Sequence, residues 1–192
     1  MKRIMFVGPS GIGKTTLAKF IETKYGIPFI SGSMSDLMPD TKEMHHAEFL
    51  HQECGELINK DYQLLNLRNK LFKDKETFVT DRSYVDLAAY FIYKQSTSIP
   101  ECEVDAFLDI CKDLTVQQCD LLIYLPLSMY NMKEWPMEDN KKRIINRYYQ
   151  AQMSDIMGNL LTQWSILSVI DILVVPQLDF YDRIHMIMSR LD

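Results

Sequence analysis

Residues 4 to 15 read IMFVGPSGIGKT. The apolar run Ile4 to Val7 enters a glycine-rich octet, Gly8 to Thr15, that matches G-x-x-x-x-G-K-[ST] without deviation. A short continuous apolar run bounded by turn residues predicts a strand buried on both faces. The next stretch, Lys14 to Tyr25, carries Leu17, Ala18, Phe20 and Ile21 at helical spacing and meets Gly26, a helix stop. Strand, glycine turn and helix in that order build an anion cradle. Gly8, Gly11 and Gly13 permit backbone angles and a close approach that a Cβ would hinder. Successive N–H groups then point inward, and the helix adds its positive end. Lys14 places a charge on the β- and γ-phosphates, and the Thr15 hydroxyl can coordinate Mg²⁺. Thr16 is a further ligand for the α-phosphate. Gly8, Pro9, Ser10, Gly11, Ile12, Gly13, Lys14, Thr15 and Thr16 are therefore expected to hold ATP with Mg²⁺.

Outward from the octet, similar apolar runs recur at Phe78 to Thr80, Leu121 to Leu125 and Ile172 to Val175, with a weaker one at Pro28 to Ile30. Helical patterns lie between them. Lys42 to Phe72 holds two, and Ser83 to Lys94, Glu101 to Gln118, Asp139 to about Thr162 and Phe180 to Leu191 hold one each. Strand alternating with helix predicts an α/β, doubly wound, about five-stranded parallel sheet with helices on both faces. Ligands then bind at the carboxyl ends of the strands. The 192 residues suit one domain spanning 1–192. Ser31 to Asp40, Ser96 to Pro100 and Tyr130 to Asn140 are the loop-like stretches.

The second apolar run ends in FVTDRS, residues 78 to 83. Asp81 there can hold Mg²⁺ or accept a proton from an attacking hydroxyl. Arg82 can grip an acceptor phosphate or stabilise charge on the transferring group. Asp81 could instead cap the next helix, although Ser83 can also do so. Further on, DNKKRIINRYY at 139 to 149 places Arg143 and Arg147 four apart, on one face of a helix. Such arginines, brought over the site by a lid of about 130–150, would neutralise developing charge. Trp135 and Pro136 precede that helix as a hinge. Acceptor contacts are expected from the insertion of about 31–73 and its surroundings, with Arg68 and Tyr84 the named candidates. His45, His46 and His51 lack a carboxylate at metal spacing and read as surface residues.

Lys and Arg number 21 against 26 Asp and Glu, so the net charge of −5 argues against phosphate-driven binding of a nucleic acid across a broad basic face. A local basic groove is not excluded. Cys54, Cys102, Cys111 and Cys119 form no CxxC pair and are expected to be reduced thiols. The N-terminal apolar run is too short for a signal segment or a membrane span. A soluble, cytoplasmic protein is expected, with no membrane partner; a homodimer is left open.

The order GPSGIGKTTLAK, TDRS, CDLLIYLP and an arginine-bearing helix resembles the nucleoside and nucleotide kinase group of P-loop proteins over most of the chain. Thymidylate and deoxynucleoside kinases are similar in carrying an acidic residue and an arginine after that strand, here Asp81 and Arg82. NadR-type ribosylnicotinamide kinases, and viral kinases acting on 5-hydroxymethyluracil in DNA, are similar around EDNKKRIINRYYQAQM. The compact arginine cluster of many nucleoside-kinase lids is absent from that segment. The resemblance implies a phosphotransferase acting on a nucleoside or a nucleoside monophosphate. One alternative moves the acceptor onto a hydroxymethylated pyrimidine in DNA, with Lys133, Lys141 and Lys142 lining a groove. Another is a regulatory NTPase switch. Against it, no guanine-reading NKxD element is present, and an AAA-type machine calls for more chain and an acidic pair after its strand.

Overall fold

The run that precedes the octet is the innermost strand. Ile4, Met5, Phe6 and Val7 have no measurable exposure, because the neighbours of β1 (Arg3–Val7) cover both of its faces. The computed structural model describes residues 2–39, 54–127, 146–167, 170–176 and 179–192. Within them, β1 leads to α1 (Lys14–Tyr25), a short α2 (Met34–Leu37) and α3 (Cys54–Phe72). Next come β2 (Phe78–Thr80), α4 (Tyr84–Gln95) and α5 (Glu101–Gln118). Then follow β3 (Leu121–Tyr124), α6 (Arg147–Leu167), β4 (Ile172–Val174) and α7 (Phe180–Leu191).

The strands stand in the order β2-β1-β3-β4, all parallel. Parallel neighbours need crossovers, and the intervening helices supply them on both faces. Side chains alternate between those faces. Met5, Val7, Phe78 and Leu122 meet α3, α4, α5 and α6. Ile4, Phe6, Val79 and Ile123 meet α1 and α7. The sheet is thus the middle of three layers, and each buried large aliphatic contributes roughly 1.5–3 kcal/mol.

The expected fifth strand is shorter than the sequence implied. At the edge beside β2, only Phe29 forms a bridge, to Val79. Val79 N–H donates to Pro28 O and Ile30 N–H to Val79 O, each at 2.9 Å. Beyond Ile30 the chain turns away: Ser31 Oγ donates to Asp36, and Ser33 caps α2 by accepting from Asp36 N–H. The described sheet therefore has four strands and a bridge. Of the basic helix expected from Asp139, 139–145 lie outside the described residues. The helix starts at Arg147, where Asn146 Oδ1 accepts from the N–H groups of Tyr148 and Tyr149. The first of the two helices expected in 42–72, the three clustered histidines, Trp135 and Pro136 lie outside the described residues.

α3 and α4 are pinned by a buried ion pair. Lys94 Nζ lies 2.6 Å from Asp61 Oδ1, and both side chains are 3% exposed. Burial raises the Asp61 carboxyl from its ordinary value and lowers the Lys94 ammonium, while each partner opposes the shift in the other. No described helix is long and apolar enough to cross a membrane.

Removing one partner of that pair leaves an uncompensated buried charge. Lys94→Met is expected to cost about 3–5 kcal/mol, whereas Lys94→Met combined with Asp61→Leu recovers most of it. Urea denaturation of the two variants checks this, and equal stabilities for single and double variants would contradict it.

Candidate active site

The octet leaves the carboxyl end of β1 and curls into the first turn of α1. Gly8, Gly11 and Gly13 have φ of 151°, 85° and 96°, a region that side chains rarely enter. Gly8 is also constrained by space: a Cβ there would stand 2.6 Å from the Leu125 carbonyl oxygen at the end of β3. Gly13 is the left-handed N-cap of α1. Lys14 is buried, with its ammonium donating to the carbonyls of Gly8 and Pro9 at 2.5 and 2.9 Å. Its charge is thereby held over the loop. Ser10 is half-buried, while Thr15 and Thr16 lie exposed on the first turn of α1.

Thr15 reaches across to the next strand end. Its hydroxyl donates to Asp81 Oδ2 at 2.5 Å. Asp81 is buried, and its other oxygen, Oδ1, has no hydrogen-bond partner among the described residues. An orphaned buried carboxylate oxygen calls for a ligand. A hydroxyl and a carboxylate side by side form a hard oxygen donor set, which suits Mg²⁺ that takes its other ligands from phosphates and water. Asp81 is not the cap of α4. Ser83 has that position, accepting from Asp86 N–H while Asp86 accepts from Ser83 N–H, a reciprocal capping box.

Asp86 is the residue that sequence reasoning missed. It is buried, and its Oδ1 also accepts from Gly8 N–H at 3.4 Å, so one carboxylate ties the start of the cradle to the start of α4. Its signal in the sequence was the S-x-x-D spacing from Ser83. Asp86 also faces two arginines, Arg68 buried and Arg82 half-buried. Burial lowers Arg82, but the charges of Asp86 and Asp81, with Tyr90, outweigh this and raise it above the ordinary guanidinium value. Arg82 Nε is buried without a hydrogen-bond partner among the described residues. Burial pushes Arg68 down to about 10, against the pull of Asp86. Arg68 donates to Gly32 O at 3.0 Å and to Ser83 O at 2.8 Å, bracing the loop after Phe29 against the turn after β2.

The acceptor expectations fare unevenly. Arg68 is near the site but engaged with backbone carbonyls. Tyr84 is corrected: its ring is fully buried against Phe72, and its hydroxyl donates to Gln118 at 2.7 Å, so it is core. The first turn of a helix lying on the sheet turns that residue inward. Arg147 is exposed, and its guanidinium lies 4.8 Å from the Tyr148 ring centroid. Arg143, Lys133, Lys141 and Lys142 lie outside the described residues. A second missed residue, Arg183 on α7, donates to Ile12 O at 2.8 Å. At 171 residues' separation, no local pattern could have revealed it.

A family model described as an AAA domain matches residues 3–177. An adenylate kinase from Blochmanniella pennsylvanica (strain BPEN) is 38% identical over 73 residues, 35% of this chain and 34% of that protein. The chain thus matches about a third of that curated relative's length. Among solved structures, deoxyadenosine kinase from M. mycoides with bound dATP superposes with a TM-score of 0.70 at 18% identity, covering 100% of this chain and 99% of that one. The NadR protein in complex with NR gives 0.61 at 13% identity, covering 99% and 48%. At such identities the structural likeness establishes the fold, that of P-loop kinases.

Asp86→Ala would orphan the N–H groups of Gly8 and Ser83 and leave two arginines without their buried counter-charge. The expected loss is about 3 kcal/mol by chemical denaturation. A variant as stable as the parent would show that Asp86 does not hold this corner together.

Proposed function

The chain belongs to the AAA-domain family, matched over residues 3–177, and on that footing we propose an ATP-dependent phosphotransferase. It moves the γ-phosphate to a nucleoside or a (deoxy)nucleoside monophosphate. The observation that carries this is the Thr15 to Asp81 contact, 2.5 Å across two parallel strand ends beside the buried ammonium of Lys14. It gathers a phosphate cradle, a cation and a metal-type oxygen pair at one point. The matched adenylate kinase and the deoxyadenosine kinase of like fold support the choice of acceptor class.

The chemistry is in-line transfer, in which positioning and charge stabilisation do most of the work. Backbone N–H groups of residues 10 to 15 and Lys14 hold the triphosphate. Thr15 and Asp81 would hold Mg²⁺, which would supply positive charge against the phosphates. Asp81 either stays in the metal's shell or takes the proton of a hydroxyl acceptor; a phosphate acceptor needs no base. Arg82, kept charged by Asp86 and Asp81, stabilises the transferring group or an acceptor phosphate. Arg147, with Arg143 from a lid of about 130–150, completes the neutralisation. The family description by itself carries no activity. The arginine directly after Asp81 favours a transferase over a motor or a switch, since it places a cation where an acceptor would sit.

Steady-state turnover of Mg²⁺-ATP against a panel of nucleosides and nucleoside monophosphates tests the proposal. At least one acceptor is expected to accelerate ATP consumption and to appear phosphorylated. Lys14→Ala is expected to lower that turnover by about a thousandfold while circular dichroism stays unchanged. A folded variant with normal turnover, or a panel with no acceptor, would overturn it.

A further inference from the structure

Among the described residues Arg183 has no counter-charge: the residue is 7% exposed, its Nε has no hydrogen-bond partner among them, and no carboxylate among them forms an ion pair with it. Burying a charge without a partner is costly, so such a group persists where a ligand or a function compensates. Burial alone accounts for the lowering of its guanidinium from the ordinary value. Docking α7 does not require Arg183. Ile184, Ile187 and Leu191 pack into the core on the α1 face of the sheet, and Asp179 caps the helix by accepting from the N–H groups of Tyr181 and Asp182.

What Arg183 touches is the back of the cradle. Its Nη1 donates to Ile12 O at 2.8 Å, and a Cβ on Gly13 would lie 3.8 Å from the same nitrogen. The described peptides are all trans, so the carbonyl of Ile12 and the N–H of Gly13 point in opposite directions. Holding the carbonyl outward therefore turns the Gly13 N–H the other way, into the loop. A flip of this peptide turns ψ of Ile12 and φ of Gly13, and glycine adopts either sign of φ. A flipped peptide would aim a carbonyl oxygen at the phosphates.

We propose that Arg183 is a positioning residue for the phosphate cradle: it locks the Ile12–Gly13 peptide with its N–H facing the anion, and the bound triphosphate supplies the counter-charge that the fold omits. The inference rests on the nucleotide-binding role assigned to residues 8 to 16. It predicts an unusual pairing of effects. Losing an unpartnered buried charge should not weaken the unliganded protein, whereas losing the brace should weaken ATP binding.

The test compares full-length wild type with Arg183→Met, which keeps an apolar stem, with Arg183→Gln, which keeps a donor but no charge, and with Arg183→Lys, which keeps both. ATP binding is measured by titration calorimetry, and melting without ATP by calorimetric scan. Arg183→Met is expected to melt at or above the wild-type temperature and to bind ATP about tenfold more weakly. Its KM for ATP should rise by a similar factor while kcat changes far less. Arg183→Lys should recover most of the affinity and Arg183→Gln only part. A lower melting temperature with unchanged affinity would mark Arg183 as structural and overturn the proposal, as would unchanged values of both. If Arg183→Met does not fold, the order of affinities Lys above Gln decides, and equality of both with wild type refutes it. Failure of the wild type to bind ATP would instead refute the nucleotide-binding role itself.

Discussion

A single buried carboxylate, Asp86, holds the corner on which the site is built. It accepts from Ser83 N–H at the start of α4 and from Gly8 N–H at the start of the cradle, and it offsets the charges of Arg68 and Arg82. Without it the two N–H groups would be buried without a partner, at a cost of about 1–3 kcal/mol each, and the two arginines would lose its counter-charge. Gly8 can lie against the Leu125 carbonyl because it lacks a Cβ, and Asp86 faces Arg68 and Arg82. The ends of β1 and β2 are locked in register at the place where substrate chemistry is assigned.

The two faces of the sheet divide the labour. On the face of α1 and α7 the cradle grows from β1 into α1, and Arg183 donates to Ile12 O from α7. On the face of α3, α4, α5 and α6, Arg68 ties the loop after Phe29 to the turn after β2. Thr15 and Asp81 meet across the boundary between the cradle and the second strand end. Parallel strands make this meeting automatic, since all carboxyl ends open on one edge of the sheet. The AAA-domain family match and the P-loop kinase fold agree with that layout. The function assigned to it depends on which groups face the crevice.

The cradle was legible in sequence because its chemistry is local. Glycines at Gly8, Gly11 and Gly13, a lysine and a threonine must follow one another for the backbone to turn its N–H groups inward. The strands at Ile4, Phe78, Leu121 and Ile172 were legible for a related reason: burial on both faces demands unbroken apolar runs. Asp81 was found because it ends one of those runs. Asp86 left a weaker trace in its capping spacing, and Tyr84 misled, since an aromatic after a site motif looks alike whether it faces substrate or core. The helix expected from Asp139 was read from charge and periodicity, which do not register a cap such as Asn146.

Sequence alone thus determined the fold class and the glycine turn between β1 and α1, both of which are written in residues near one another along the chain. Tertiary structure alone decided that Tyr84 is core, that Arg68 is spent on two carbonyls, that the edge strand shrinks to a bridge at Phe29, and that Arg183 stands behind Ile12. The reason is range. Hydrogen bonds within a turn are set by neighbours in the chain, but the burial of a charge and its partner depend on packing between elements far apart in sequence.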